Sequence, residues 1–288
     1  MSALALFASV SRLHIVAIAA LGNFTFCWLL TGRHSWSLAA ICGLDWFLVN
    51  LLNRVVDLPE DRANRIHGTD FVARHRREVL WGGFSLLSGS LVAIHFVSPA
   101  LTMFRIAYHA LGLAYNWPLF PGGRRIKQLY FWKNTASATG FLITVFGYPL
   151  AAFGHPRLGT LGLAAAAGFF FLFELSYEVI YDLRDAPGDA QAGVRTFPVA
   201  HGERGAVRII DALIGGSMAL LAAGFIAHAL PWRVFIMILA PLIQVVVYKR
   251  ALRRGITASD CVGLTWLGAA LLATYHLWIA AGLPGVGV

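Results

Sequence analysis

Apolar residues arrive along this chain in long unbroken runs separated by short polar intervals. Nine runs approach the roughly 20 residues a helix needs to cross the hydrocarbon of a bilayer: 12–31, 36–56, 79–97, 99–117, 134–152, 159–181, 206–229, 232–250 and 260–281. The pattern predicts an all-α, polytopic membrane protein. The fourth run is interrupted by Arg105, Tyr108 and His109, but Pro99 and apolar flanks on either side keep it in the set. The first run has no basic stretch ahead of it and continues past Leu30, which is too long for a signal peptide's apolar core. It therefore reads as an uncleaved first helix.

Composition agrees. Of 288 residues, 58% are hydrophobic and 13% charged, against about 25% charged in soluble domains. A net charge of +9 would suggest a nucleic-acid partner in a soluble protein; here its distribution marks topology, and no nucleic acid is implied. The loops after the second, fourth, sixth and eighth runs carry Arg62, Arg65, Arg74, Arg76 and Arg77; Arg124, Arg125, Lys127 and Lys133; Arg184, Arg195, Arg204 and Arg208; and Lys249, Arg250, Arg253 and Arg254. Loops on the other side hold only Arg33, Arg157 and Arg233. Positive charge collects on the cytoplasmic side. This places the N-terminus and the basic loops in the cytoplasm and the C-terminus on the far side of the cell's inner or plasma membrane. Cys27, Cys42 and Cys261 are scattered, and no CxxC or HExxH spacing exists, which argues against a zinc site or a disulfide framework.

Hydropathy does not choose between channel, transporter, scaffold and enzyme; the carboxylates do. Of 14 acids, five fall between Asp57 and Glu78 and six between Glu174 and Glu203. Acids in or beside a membrane are costly and usually face a cavity or a functional site. Asn53, Asp57 and Asp61 are spaced four apart, so on a helix they share a face, with Pro59 able to kink or end that helix. Asp182, Asp185 and Asp189 follow a three-and-four spacing. Asp57 to Asp185 and Asp61 to Asp189 are both offsets of 128 residues, and Pro59 to Pro187 repeats the offset. Two related four-helix halves, about 12–133 and 134–250, plus a ninth helix follow, with a site between the halves. Either motif alone is compatible with a helix cap or a surface ion pair. Two facing acid clusters would repel unless cations lay between them, and Mg²⁺ suits oxygen ligands shared with substrate phosphates.

At these residues the chain resembles the UbiA superfamily of intramembrane prenyltransferases. Asn53, Asp57 and Asp61 meet its N-x-x-x-D-x-x-x-D motif, and Asp182, Asp185 and Asp189 its D-x-x-D-x-x-x-D motif. The segment GDAQAGVRTFPVAHG (188–202) and the stretch Tyr115-Asn116-Trp117-Pro118 with Lys127, Lys133 and Asn134 are similar to the family's following loops. Arg54 departs from the pattern, standing where many members carry Asp. The resemblance implies nine helices around a central cavity capped by cytoplasmic loops. It implies one Mg²⁺ held by Asp57 and Asp61 and a second by Asp185 and Asp189, with Asn53 and Asp182 completing the shells and Arg65 and Lys127 neutralising phosphate. The implied donor is an isoprenyl diphosphate, and the acceptor a hydrophobic or aromatic molecule reached through membrane lipid.

The carbocation left by the departing diphosphate needs a dry pocket with π faces, for which Tyr115, Trp117, Tyr177 and Tyr181 stand nearest in sequence. Glu178, and one turn deeper Glu174, are candidates for the base that takes the acceptor's proton. Asp45 reads better as an interhelical partner of Arg105, and His109 as a packing histidine. A terpene cyclase using the same site is one alternative; an ion-coupled secondary transporter is another.

Overall fold

A computed structural model describes residues 3–63, 66–191 and 193–282. Among them every regular element is helical, and the sole extended pairing is one bridge between Phe120 and Arg124. A short α1 (Ala3–Val10) leads into α2 (Leu13–Thr31) and α3 (Trp36–Val56). Two short helices, α4 (Leu58–Ala63) and α5 (Thr69–Arg74), precede α6 (Arg76–His95) and α7 (Pro99–Asn116). Next come α8 (Trp132–Leu142) and α9 (Tyr148–Phe153), fused through a π-helical turn at Ile143–Gly147, and then the long α10 (Thr160–Gln191) and α11 (Phe197–Ile226). The chain closes with α12 (Trp232–Phe235), α13 (Leu239–Leu252) and α14 (Ala258–Ala280), the last packed chiefly on α2.

Helix starts follow local chemistry. Ser35 and Ser98 each accept a hydrogen bond from the backbone N–H three residues on, capping α3 and α7, and Pro99 occupies the first turn of α7, where a missing N–H costs nothing. Thr257 and Asp260 form a reciprocal capping box on α14. Gly32 ends α2 with φ 71°, a left-handed conformation that favours glycine, and a Cβ there would also push the Arg157 guanidinium aside.

Helices occupy all nine predicted runs, and among the described residues seven of them are long and apolar enough to cross a membrane. The protein is an integral, multi-pass membrane protein. The two that fall short are α6, which opens on Arg76, Arg77 and Glu78, and α7. The residues that dilute α7 are the ones it uses to hold its neighbours. Arg105 donates to both oxygens of Asp45 on α3 at 2.8 and 2.6 Å and to Ser90 on α6. His109 lies 2.9 Å from the same carboxylate, and Tyr148 on α9 donates to it at 2.7 Å. Asp45 and Arg105 are wholly buried. The predicted Asp45–Arg105 pair is therefore present, and His109 is a satisfied packing histidine.

Two helices are longer than predicted. At 32 residues α10 extends about 48 Å, well beyond a hydrocarbon core of about 30 Å. It runs ten residues past the predicted end, through Pro187, so Asp182, Asp185 and Asp189 sit on one continuous helix. α11 starts at Phe197 rather than 206, but Gly202 (φ 69°, ψ 171°) kinks it, so its unbroken part begins after that residue. Pro59, by contrast, lies in the first turn of α4. Equivalent prolines thus serve different local structures.

Candidate active site

The first motif keeps its helical register across the α3–α4 junction. Asp57 caps α3, its N–H bonds to the Asn53 carbonyl at 3.0 Å, and the N–H of Asp61 bonds to the Asp57 carbonyl at 2.8 Å. The three side chains therefore stack on one face. The second motif occupies the last turns of α10. Both motifs line a single cavity of about 1250 Å³, together with Glu60, Tyr115, Lys127, Glu178 and Tyr181. Every proposed site residue is thus brought to one cavity except Arg65, which lies outside the described residues.

The rim is a lattice of ion pairs. Lys127 Nζ lies 2.5 Å from Asp57 Oδ1 and 2.6 Å from Glu60 Oε2, and Arg125 bridges the same two carboxylates at 3.1 and 2.5 Å. Burial alone would raise the Glu60 carboxyl, but Lys127 and Arg125 outweigh it and hold the group below its usual range. Burial does raise Asp61, against the opposing pull of Arg54. On the other wall Lys133 reaches Asp182 at 2.7 Å and Asp189 at 3.1 Å, and Asn134 donates to Asp182 at 2.8 Å. Asp185 pairs with its neighbour Arg184 and is the most exposed of the four predicted metal ligands.

The loop between α7 and α8 spans this mouth. Through Arg125 and Lys127 it grips α4, while Tyr130 hydrogen-bonds His201 on α11 at 2.5 Å. Among the described residues no three acids, histidines or cysteines converge as a ready metal cage. Yet Asn53 Oδ1 is a buried acceptor that receives no hydrogen bond, and Asp61 Oδ2 has only its ion pair with Arg54 Nη1 at 3.2 Å. The unpartnered Asn53 oxygen beside the Asp57 and Asp61 carboxylates is a hard-oxygen donor set that would suit a Mg²⁺ shared with phosphate.

Below the rim the wall turns aromatic. Tyr115, Tyr177 and Tyr181 line the cavity; Trp117 does not, and packs edge-on against Phe84 instead. Phe26, Trp46, Phe141, Phe170 and Phe173 continue the lining. Glu178 lines it too, held by Ser137 Oγ at 2.7 Å.

The model of the UbiA prenyltransferase family matches residues 14–261. The chain belongs to that family. This UbiA-family chain is 29% identical over 161 residues to digeranylgeranylglyceryl phosphate synthase from Pyrococcus abyssi, a match covering 56% of this chain and 54% of that relative. It is 31% identical over 171 residues to the protein of the same name from Pyrococcus furiosus, covering 58% and 56%. The chain thus spans about half the length of the curated relatives it matches. Its fold matches a UbiA homologue from Archaeoglobus fulgidus bound to DMAPP and Mg²⁺ with TM-score 0.73 at 14% identity, over 96% of this chain and 99% of the other. The apo structure of a UbiA homologue from Aeropyrum pernix matches with TM-score 0.68 at 16% identity, over 93% and 98%. At such identities the likeness is one of fold.

Several residues of the cavity and its rim escaped the sequence reading. Glu60 and Arg125 were visible only as members of charged loops. Arg54, wholly buried and bonded to the His67 carbonyl at 2.6 Å, was seen only as a departure from the motif. Arg12 and Ser137 lie too far along the chain from either motif to be linked without the fold.

Proposed function

We propose that this protein is a Mg²⁺-dependent intramembrane prenyltransferase that moves an isoprenyl group from an isoprenyl diphosphate to a hydrophobic or aromatic acceptor. The observation that carries the reading is the meeting of both acidic motifs at the polar mouth of one cavity with an aromatic interior. Support comes also from the family and from the neighbours of similar fold, which hold DMAPP or GPP with Mg²⁺.

In this reading Asp57 and Asp61 hold one ion and Asp185 and Asp189 a second, with Asn53 and Asp182 completing their shells. Bound there, Mg²⁺ supplies Lewis-acid neutralisation of the departing diphosphate. Lys127 and Arg125, which now sit on Asp57 and Glu60, and Lys133 on the other wall, would supply positive charge to the phosphate oxygens. Arg65 joins them. The faces of Tyr115, Tyr177 and Tyr181 stabilise the allylic cation, and the apolar wall below excludes water from it. Glu178, oriented by Ser137, accepts the proton that the acceptor loses on attack. The pseudo-repeat of two four-helix halves, nine spans and a cytoplasmic mouth belong to the same proposal.

The test is product analysis. Purified protein is incubated with a panel of isoprenyl diphosphates, with and without an aromatic acceptor pool. A prenylated acceptor is the expected product. Cyclised or eliminated hydrocarbon from donor alone would make the protein a cyclase, and no consumption of any donor by folded protein would overturn the reading.

A further inference from the structure

The mechanism above leaves one carboxylate in the deep part of the cavity unused. Phe170, Glu174, Glu178 and Asp182 follow at intervals of four along α10 and all line the cavity, so they stack on one helical face. Glu174 sits about 6 Å deeper than Glu178 and about 12 Å deeper than Asp182. Its surroundings are apolar: Phe169, Phe170 and Phe173 share this part of the wall. Among the described residues Glu174 makes no hydrogen bond or ion pair, and its nearest charged influence is another acid, Glu178. Glu178 spends one oxygen on Ser137. An isolated carboxyl at this depth is costly unless something polar meets it, and an isoprenyl tail offers nothing polar.

We propose that Glu174 is a specificity-determining residue for the acceptor: it receives a hydrogen bond from a second donor group of that molecule, one helical turn below the reacting end. The inference rests on the prenyl-transfer reading. The acceptor class follows from the spacing. Glu178 meets the nucleophilic hydroxyl and Glu174 the distal one, and a separation of about 6 Å suits hydroxyls on opposite ends of a single aromatic ring. An acceptor of equal shape whose far end cannot donate a hydrogen bond leaves Glu174 unpaired in a dry pocket, and a site of that kind discriminates strongly.

The test compares hydroquinone with 4-methoxyphenol as acceptors, geranyl diphosphate and its longer homologues serving as donors. In the unaltered protein hydroquinone is favoured about tenfold or more in kcat/KM, the discrimination expected when the analogue leaves a buried acceptor unpaired. Glu174→Leu brings that ratio near one by raising KM for hydroquinone, and Glu174→Gln, whose amide oxygen still accepts, retains part of it. Because both acceptors are measured in the same preparation, the ratio does not depend on the fraction of folded protein. A preference that survives Glu174→Leu contradicts the proposal. So does an equal fall in kcat with both acceptors, and so does transfer to neither by protein that still releases diphosphate. Absence of Mg²⁺-dependent diphosphate release with every donor would instead defeat the prenyl-transfer reading beneath it.

Discussion

Lys127 shows how the rim is built at the scale of single residues. Its ammonium is shared between Asp57 and Glu60, and Arg125 duplicates both contacts from the same loop. Two cations on two acids keep the mouth assembled before any metal or diphosphate enters, and leave positive charge in place to meet phosphate. Lys127→Met is expected to raise the donor KM about tenfold, the worth of one charge-assisted contact. Lys127→Arg should recover part of the loss, because a guanidinium reaches the same acceptors with different geometry; steady-state kinetics in detergent read both. The motif aspartates were legible from spacing alone, since four-residue intervals place side chains on one face whatever the surrounding fold. Arg54 and Arg125 were not, because their partners are chosen by tertiary contact rather than by chain separation. Trp117 shows the opposite failure: adjacency to Tyr115 suggested a place in the wall, but α7 ends at Asn116 and the indole turns away toward Phe84.

Among the helices, what decides stability is how polar residues are held inside an apolar bundle. The Asp45 carboxylate joins α3 to α7 and α9, and Arg105 carries the link on to α6. Removing one member of a buried ion pair strands the other. Arg105→Met should cost about 3–5 kcal/mol, seen as a lowered unfolding temperature. Adding Asp45→Leu should return only part of that loss, since it removes the stranded charge but takes the acceptor away from Tyr148 and His109. Close helix contact sets a second limit. A Cβ on Gly162, at the start of α10, would stand 2.2 Å from the Ala229 carbonyl oxygen in the loop between α11 and α12. Gly162→Ala should therefore destabilise by about 1–3 kcal/mol, measurable in the same thermal assay. Helix positions were readable because unbroken apolar runs have few other solutions in lipid. Helix ends were less so: α10 continues through Asp182, Asp185 and Asp189 into water, where a hydropathy signal has nothing left to report.

At the scale of the whole molecule, charge and hydropathy together propose an orientation, with the acid-lined mouth facing the cytoplasm. Seven and nine crossings place the chain's two ends identically, so the termini do not separate them. The bend between α6 and α7 does. A cysteine at Val97, a strongly exposed position, should react with a membrane-impermeant maleimide from the outer face only. Cytoplasmic labelling there would contradict nine crossings. The native Cys27, Cys42 and Cys261 are buried and leave a quiet background for this experiment. The cavity joins these scales, with two motifs 128 residues apart in sequence opening into one volume whose chemistry changes from ionic at the rim to aromatic below. Its central claim is that the motifs act as one metal–diphosphate site. The direct measurement is diphosphate release from isoprenyl diphosphates by purified protein, with Mg²⁺ or with EDTA, beside Asp61→Ala and Asp185→Ala. The account predicts release that requires Mg²⁺ and falls at least about a hundredfold in each variant, since either loss removes an interaction made with the leaving group. Release that persists in EDTA, or that survives in either variant, would contradict it.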